Sequence, residues 1–209
     1  MIRYLQQSWM VLALALVCGA ALAGVSSWLQ PIILANEADA RAQAALMVVP
    51  GAQRAQEADD IPGVKAFRVF AADGTLAGWA LMGESTGYSG TIQVVFGLDP
   101  QARRITGMKV LGNTETPGLG NRIADEAPGS FRDGFVDKST ATPLQASKSP
   151  AAPNEVQAVT GATISSNAVC QAIDAQLQAG LREKLLQAGM STSTAPVNRD
   201  ARSTPHHGQ

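Results

Sequence analysis

A chain of 209 residues and 21.7 kDa has room for one ordinary domain and an appendage, not two full domains. Its 16 Lys and Arg, set against 17 Asp and Glu, form no basic block, which excludes a nucleic-acid partner whose phosphates call for a concentrated positive face. Two cysteines and two histidines are too few for an iron–sulfur cluster, a four-cysteine zinc site or a haem attachment, so any redox chemistry needs an organic cofactor.

Charged residues make up only 16% of the chain, and the deficit lies at one end. No Asp, Glu, Lys or Arg occurs from Tyr4 to Asn36. A helix needs about 20 such residues to cross a bilayer, and Trp9 and Trp28 bracket the run where amphipathic rings favour the headgroup layers. Arg3 precedes the run and Glu37 and Asp39 follow it, which places the N-terminus in the cytoplasm and exports the remainder. Ala21-Leu22-Ala23 also has the form of a signal-cleavage site. Against cleavage, the apolar character continues through Val25, Trp28, Leu29, Ile32, Ile33 and Leu34, so residues 1–36 are expected to be an uncleaved anchor in membrane lipid. Cys18 lies inside that run and Cys170 far beyond it, so the two are not expected to pair.

Residues 37–49 are rich in Ala and continue as a helical stalk that stops at Pro50-Gly51. From Lys65 the pattern turns to β. Lys65–Ala71 alternates, Asp73-Gly74 supplies a hairpin turn and Leu76–Met82 returns; Thr91–Gly97 and Ile105–Leu111 follow, joined by a turn at Asp99-Pro100. These four strands read as an antiparallel meander. Ile123–Phe135 reads as short helices broken at Pro128-Gly129, and Ala141–Asn154 as a polar loop. A final helix carries Ile164, Ala168, Ala172, Ile173, Leu177, Leu181 and Leu185 on one face and stops near Gly189. The expected class is α+β: one N-terminal transmembrane helix, then an exported domain over 37–190. Residues 191–209, including His206 and His207, are too polar to order themselves and are expected to form a disordered tail.

Two small-residue loops stand out. Asn113-Thr-Glu-Thr-Pro-Gly-Leu-Gly120 follows the fourth strand, and Val159-Thr-Gly-Ala-Thr-Ile-Ser-Ser166 precedes the last helix. The second aims free N–H groups and the positive helix end at whatever lies beside Thr163, an arrangement suited to phosphate. The Thr163 hydroxyl could be esterified there, or could simply cap the helix. Neither loop is a nucleotide motif of the P-loop or Rossmann type.

Taken in order, Tyr88-Ser-Gly-Thr-Ile, Glu115-Thr-Pro-Gly-Leu-Gly120 and Thr160-Gly-Ala-Thr163-Ile-Ser-Ser, behind one hydrophobic helix, resemble the FMN-binding G subunit of Rnf-type electron transport complexes. The C subunit of the sodium-pumping NADH:quinone reductase is the near relative, and the resemblance covers about residues 1–190. It implies that Thr163 carries FMN through a phosphoester bond, attached by a separate flavin transferase that uses FAD as donor. It also implies a cradle for the cofactor from Thr160, Gly161 and Ala162, with the ring against Glu115, Thr116, Pro117, Gly118, Leu119 and Gly120 and a contact from Tyr88. The acidic residue usual three positions before Thr160 is Gln157 here. The chain would then be a redox subunit in a bacterial inner membrane, with its flavin domain on the outer side. It has no ferredoxin, NADH or ion-translocation motif, so it is not expected to catalyse the full reaction without other membrane subunits. Two further readings use the same features: a flavin-free scaffold of a membrane complex, and a stand-alone exported flavoprotein reductase freed by signal cleavage.

Overall fold

The structure is a computed structural model and describes residues 2–59, 61, 63–177 and 181–192. One helix, α1, runs from Ile2 to Val48. The chain divides into two units, Met1–Arg41 and Ala42–Gln209. In the first unit, the large apolar side chains from Trp9 to Leu34 are exposed, and the stretch beginning at Trp9 has a mean hydropathy of 2.2. This is one helix long and apolar enough to cross a membrane.

The second unit is built on a five-stranded antiparallel sheet in the order β1 (Arg54–Glu57), β2 (Ala66–Phe70), β3 (Leu76–Thr86), β4 (Thr91–Leu98) and β5 (Ile105–Gly112). The meander expected from the hydrophobic alternation is present, with β1 added at its edge. β1 reads Arg-Ala-Gln-Glu, largely exposed, and it joins through backbone pairing with Phe67–Phe70 rather than through buried side chains. β3 extends to Thr86 and pairs with β4 from Trp79↔Leu98 to Thr86↔Thr91, so the turn at Gly87–Gly90 emerges at the far end of the sheet from the Asp73-Gly74 turn. That second turn is closed by the Asp73 carboxylate, which accepts from the Thr75 N–H and hydroxyl.

One face of the sheet buries Trp79, Leu81, Ile92, Val94, Phe96 and Ile105 under Val169, Ala172 and Ile173 of α2 (Thr163–Gln176). The other face buries Phe67, Val69, Ala80 and Val95 against Ala44, Ala45, Val48 and Val49, the end of the stalk. Thr106 on β5 fastens that end by donating from Oγ1 to the Val48 carbonyl at 2.7 Å. This carbonyl is one that a helix terminus leaves without an intrahelical partner. Thr106→Val keeps the shape and removes the donor, and is expected to lower stability by about 1–2 kcal/mol in urea unfolding.

Two short 3-10 helices, Gly120–Ala124 and Phe131–Phe135, lie on either side of Pro128-Gly129 as the breaker pattern implies. The polar loop 141–154 contains a strand, β6 (Gln145–Ser147), paired in parallel with β7 (Glu155–Gln157). Three residues are too few for a periodicity to register. The segment is held on α2 because Asp174 accepts the Leu144 N–H at 2.9 Å and Asn167 Oδ1 accepts the Ala146 N–H at 3.1 Å. Burial raises the Asp174 pKa, opposed by that Leu144 bond.

The single final helix expected from the sequence is corrected to two described helices. α2 ends at Gln176, with Leu177 capping by N–H bonds to Ile173 and Asp174, and α3 spans Leu181–Thr192. Residues 178–180, between Leu177 and Leu181, lie outside the described residues. The described part of α3 includes Ser191 and Thr192, so the helix passes the expected start of the tail by one or two positions. Residues 193–209, with His206 and His207, are outside the described residues. Cys170 is packed in the core, where burial and then the Asp174 charge push its thiol up to about 12.

Candidate functional site

β7 leads directly into Val159–Ala162 and then α2, and this short connection makes one wall of a groove. Ala162 N–H bonds to the Val159 carbonyl at 2.9 Å, and Gly161 takes φ +82°, a left-handed conformation that suits glycine. Ser166 ties the connection to the helix: its hydroxyl donates to the Ala162 carbonyl at 2.9 Å and accepts from the Val159 N–H at 3.0 Å. The N-cap position belongs to Ala162, which offers no side-chain cap, and Thr163 is the first helical residue. The capping role weighed for Thr163 is therefore not the one it has. Its side chain is half-buried, and its hydroxyl bonds to none of the described residues, while its carbonyl accepts from Asn167 Nδ2 at 3.1 Å. The N–H groups of Thr163, Ile164 and Ser165 belong to the first turn, where no intrahelical acceptor exists.

The second wall comes from the loop after β5, and the two are joined by one carboxylate. Glu115 is 6% exposed. Its Oε2 accepts from the Ser165 hydroxyl at 2.7 Å, and its Oε1 accepts from the Ser89 N–H at 3.0 Å. It thereby links the β5 loop, the Gly87–Gly90 turn and the first turn of α2. Burial pushes its pKa upward, but the Ser165 hydroxyl and the N–H groups of Ser89, Tyr88 and Gly90 outweigh that and hold it below the usual carboxylate range. Gly120 has no side chain because the carboxylate occupies the space: a Cβ there would meet Glu115 Oε2, with Glu115 Cβ at 2.9 Å and Ser165 Oγ at 3.0 Å.

The resulting open groove has a volume of about 560 Å³, within the size range of small-molecule sites. Of the residues singled out in the sequence, Tyr88, Glu115, Thr116, Leu119, Gly120, Gly161, Ala162 and Thr163 line it. Pro117 and Gly118 are exposed and do not line it. Thr160 faces a separate groove of about 450 Å³, with Arg122, Ser130 and Gln157. Gln157 donates from Nε2 to the Lys148 carbonyl at 2.9 Å, a bond that a carboxylate at this position could not make.

Three lining residues were not singled out in the sequence: Lys148, Ile164 and Ser165. Ile164 was assigned to the core face of the helix but is 58% exposed, because in the first turn of α2 it is Ser165 and Ser166 that face inward, each held by a side-chain hydrogen bond. With Tyr88 at 73% and Leu119 at 52%, it leaves three large apolar side chains exposed around one groove. Such a rim fits a flat aromatic ligand with a polar end. Ser165 stood beside Ser166 in the motif, and both are buried polar residues with fixed partners. Lys148, in a featureless loop, carried no sequence signal.

The groove fits a phosphate-bearing flavin on two observations of the chain itself: uncommitted N–H groups beside the Thr163 hydroxyl, and the apolar rim. The model of one protein family, described as FMN-binding domain, matches residues 87–178. The chain is similar to the G subunit of the Na(+)-translocating ferredoxin:NAD(+) oxidoreductase complex of Acetobacterium woodii, at 35% identity over 109 residues, covering 51% of this chain and 50% of the relative. It is likewise similar to the G subunit of the proton-translocating ferredoxin:NAD(+) oxidoreductase complex of Clostridium ljungdahlii, at 38% identity over 90 residues, 43% of this chain and 46% of the relative. The chain spans about half the length of the curated relatives it matches. In fold it resembles the crystal structure of Shewanella oneidensis NqrC, with a TM-score of 0.51 and 21% identity over 71% of this chain and 73% of that one.

Proposed function

We propose that this chain, whose residues 87–178 match the model of the FMN-binding domain family, is the electron-transferring G subunit of an ion-translocating ferredoxin:NAD oxidoreductase complex, and that it carries FMN as a phosphoester on Thr163. The observation that carries the reading is the Thr163 hydroxyl, set in the first turn of α2 on the wall of the groove and bonded to none of the described residues. A phosphate esterified there lies next to the N–H groups of Thr163, Ile164 and Ser165 and the positive end of the helix. Thr116, Leu119 and Gly120 form the opposite wall, and the exposed Tyr88, Leu119 and Ile164 side chains offer apolar surface to a flat ring. Flavin supplies redox chemistry that couples two-electron and one-electron steps.

Attachment requires a separate flavin transferase with FAD as donor. The Thr163 oxygen bonds to the FMN-side phosphorus, the pyrophosphate bond breaks, AMP leaves and the hydroxyl proton passes to solvent. Residues 1–36 anchor the chain in a bacterial inner membrane, with the N-terminus in the cytoplasm and the domain from residue 37 to 190 on the outer side, a topology supported by Arg3 before the apolar run and Glu37 and Asp39 after it. Other membrane subunits supply the ferredoxin, nicotinamide and ion-translocation sites.

The test is expression of the full chain with and without the transferase, followed by carbonate washing of the membranes and a denaturing gel viewed under ultraviolet light. One fluorescent band is expected in the washed membranes, dependent on the transferase. A non-fluorescent band beside an active transferase would overturn flavin carriage in favour of a scaffold. A fluorescent band that washes off would overturn the anchor in favour of a released reductase.

A further inference from the structure

We infer that the Glu115 carboxylate sets the reduction potential of the flavin held at Thr163, keeping it lower than a neutral side chain at that position would; this rests on the reading above. Glu115 lies on the groove wall and is 6% exposed. Its partners, the Ser165 hydroxyl and the Ser89 N–H, are neutral, so the bonds stabilise the charge without cancelling it. They also favour the ionised state, holding the carboxyl below its usual range despite burial. Reduction adds negative charge to the flavin, with proton uptake offsetting part of it. A fixed negative charge on the same wall opposes that addition, more strongly where protein displaces water than in bulk solvent. The reduced form is destabilised relative to the oxidised form, and the potential falls.

Glu115 also holds the walls together, so its two roles must be separated. Glu115→Gln removes the charge and keeps the size. The amide oxygen can accept from the Ser89 N–H, and the amide nitrogen can donate to the Ser165 hydroxyl, which is free to turn. The flavin-loaded full chain in detergent is titrated spectroelectrochemically, wild type beside E115Q and Asp73→Asn. Asp73 lies at the opposite end of β3 from the groove and controls for loss of any single carboxylate. At a fixed solution potential, E115Q is expected to raise the ratio of reduced to oxidised flavin at least about tenfold, a rise of about 30 mV for a two-electron couple, while D73N leaves it unchanged.

An E115Q potential equal to or below that of the wild type overturns the inference, as does an equal rise in D73N. Should E115Q not fold, judged by circular dichroism, Ser165→Ala replaces it. Deleting a donor leaves the carboxylate less compensated, so the potential is expected to fall, and a rise overturns the inference. Wild-type protein that carries no flavin, read first by absorbance on the same sample, sinks this inference together with the proposed function. Flavin-loaded wild type with an unmoved E115Q potential sinks this inference alone.

Discussion

Thr163→Ala, expressed with the flavin transferase, gives a chain of normal abundance with no covalent flavin fluorescence after denaturation. The substitution removes one hydroxyl that none of the described residues uses. The fold has little reason to notice: the side chain is half-buried, and alanine is a better helix former than threonine, so stability should change by no more than about 0.5 kcal/mol. Thr160→Ala is the informative neighbour. Thr160 belongs to the same motif but faces the other groove, so its loss leaves the label in place. The pair distinguishes attachment at one oxygen from a general need for the loop, and equal fluorescence in wild type and T163A would rule out Thr163 as the attachment point.

Gly120→Val is expected to have the largest structural effect of the site variants. Its branched side chain would start where the Glu115 carboxylate and Ser165 hydroxyl already are. Overpacking alone costs about 1–3 kcal/mol, and a displaced carboxylate would lose donors while still buried, which adds about 1–3 kcal/mol or more. A loss of about 3 kcal/mol or more in urea unfolding is expected, accompanied by failure to acquire flavin because the groove walls are no longer joined. Gly118→Ala serves for comparison. No atom stands within 4 Å of a Cβ there, and the cost is that of φ +77° for a residue with a side chain, about 1–2 kcal/mol. A G120V protein as stable as G118A would show that Glu115 does not staple the groove.

What could be read in the sequence and what could not divide along a physical line. The strands Ala66–Phe70 through Ile105–Gly112 were legible as short apolar segments between turn residues, although β2 and the middle of β3 and β4 are buried on both faces rather than alternately. β1 was not, since an exposed Arg-Ala-Gln-Glu edge strand is held by its backbone. The two loops that make the groove were visible as clusters of small residues, and most of the residues picked from them do line it. The function of Glu115 was not legible. It depends on three segments meeting, with Ser89 and Ser165 lying 26 and 50 positions away in the chain. Lys148 reaches the groove for a similar reason, because Asp174 and Asn167 on α2 hold the neighbouring backbone. Ile164 shows the opposite failure: helical periodicity assigned it to the core, but the inward positions of the first turn are taken by Ser165 and Ser166, whose hydroxyls bond to Glu115 and Ala162.

A covalent flavin on one oxygen is tested most directly by mass spectrometry of the tryptic fragment from Ser149 to Arg182, taken from protein matured with the transferase. That fragment contains Thr160, Thr163, Ser165 and Ser166, so fragmentation along it must place the added group. The expected result is a fragment heavier by one FMN less one water, with the addition located at Thr163. An unmodified fragment from visibly flavinylated protein, or the same mass addition located at Thr160, would contradict attachment at Thr163.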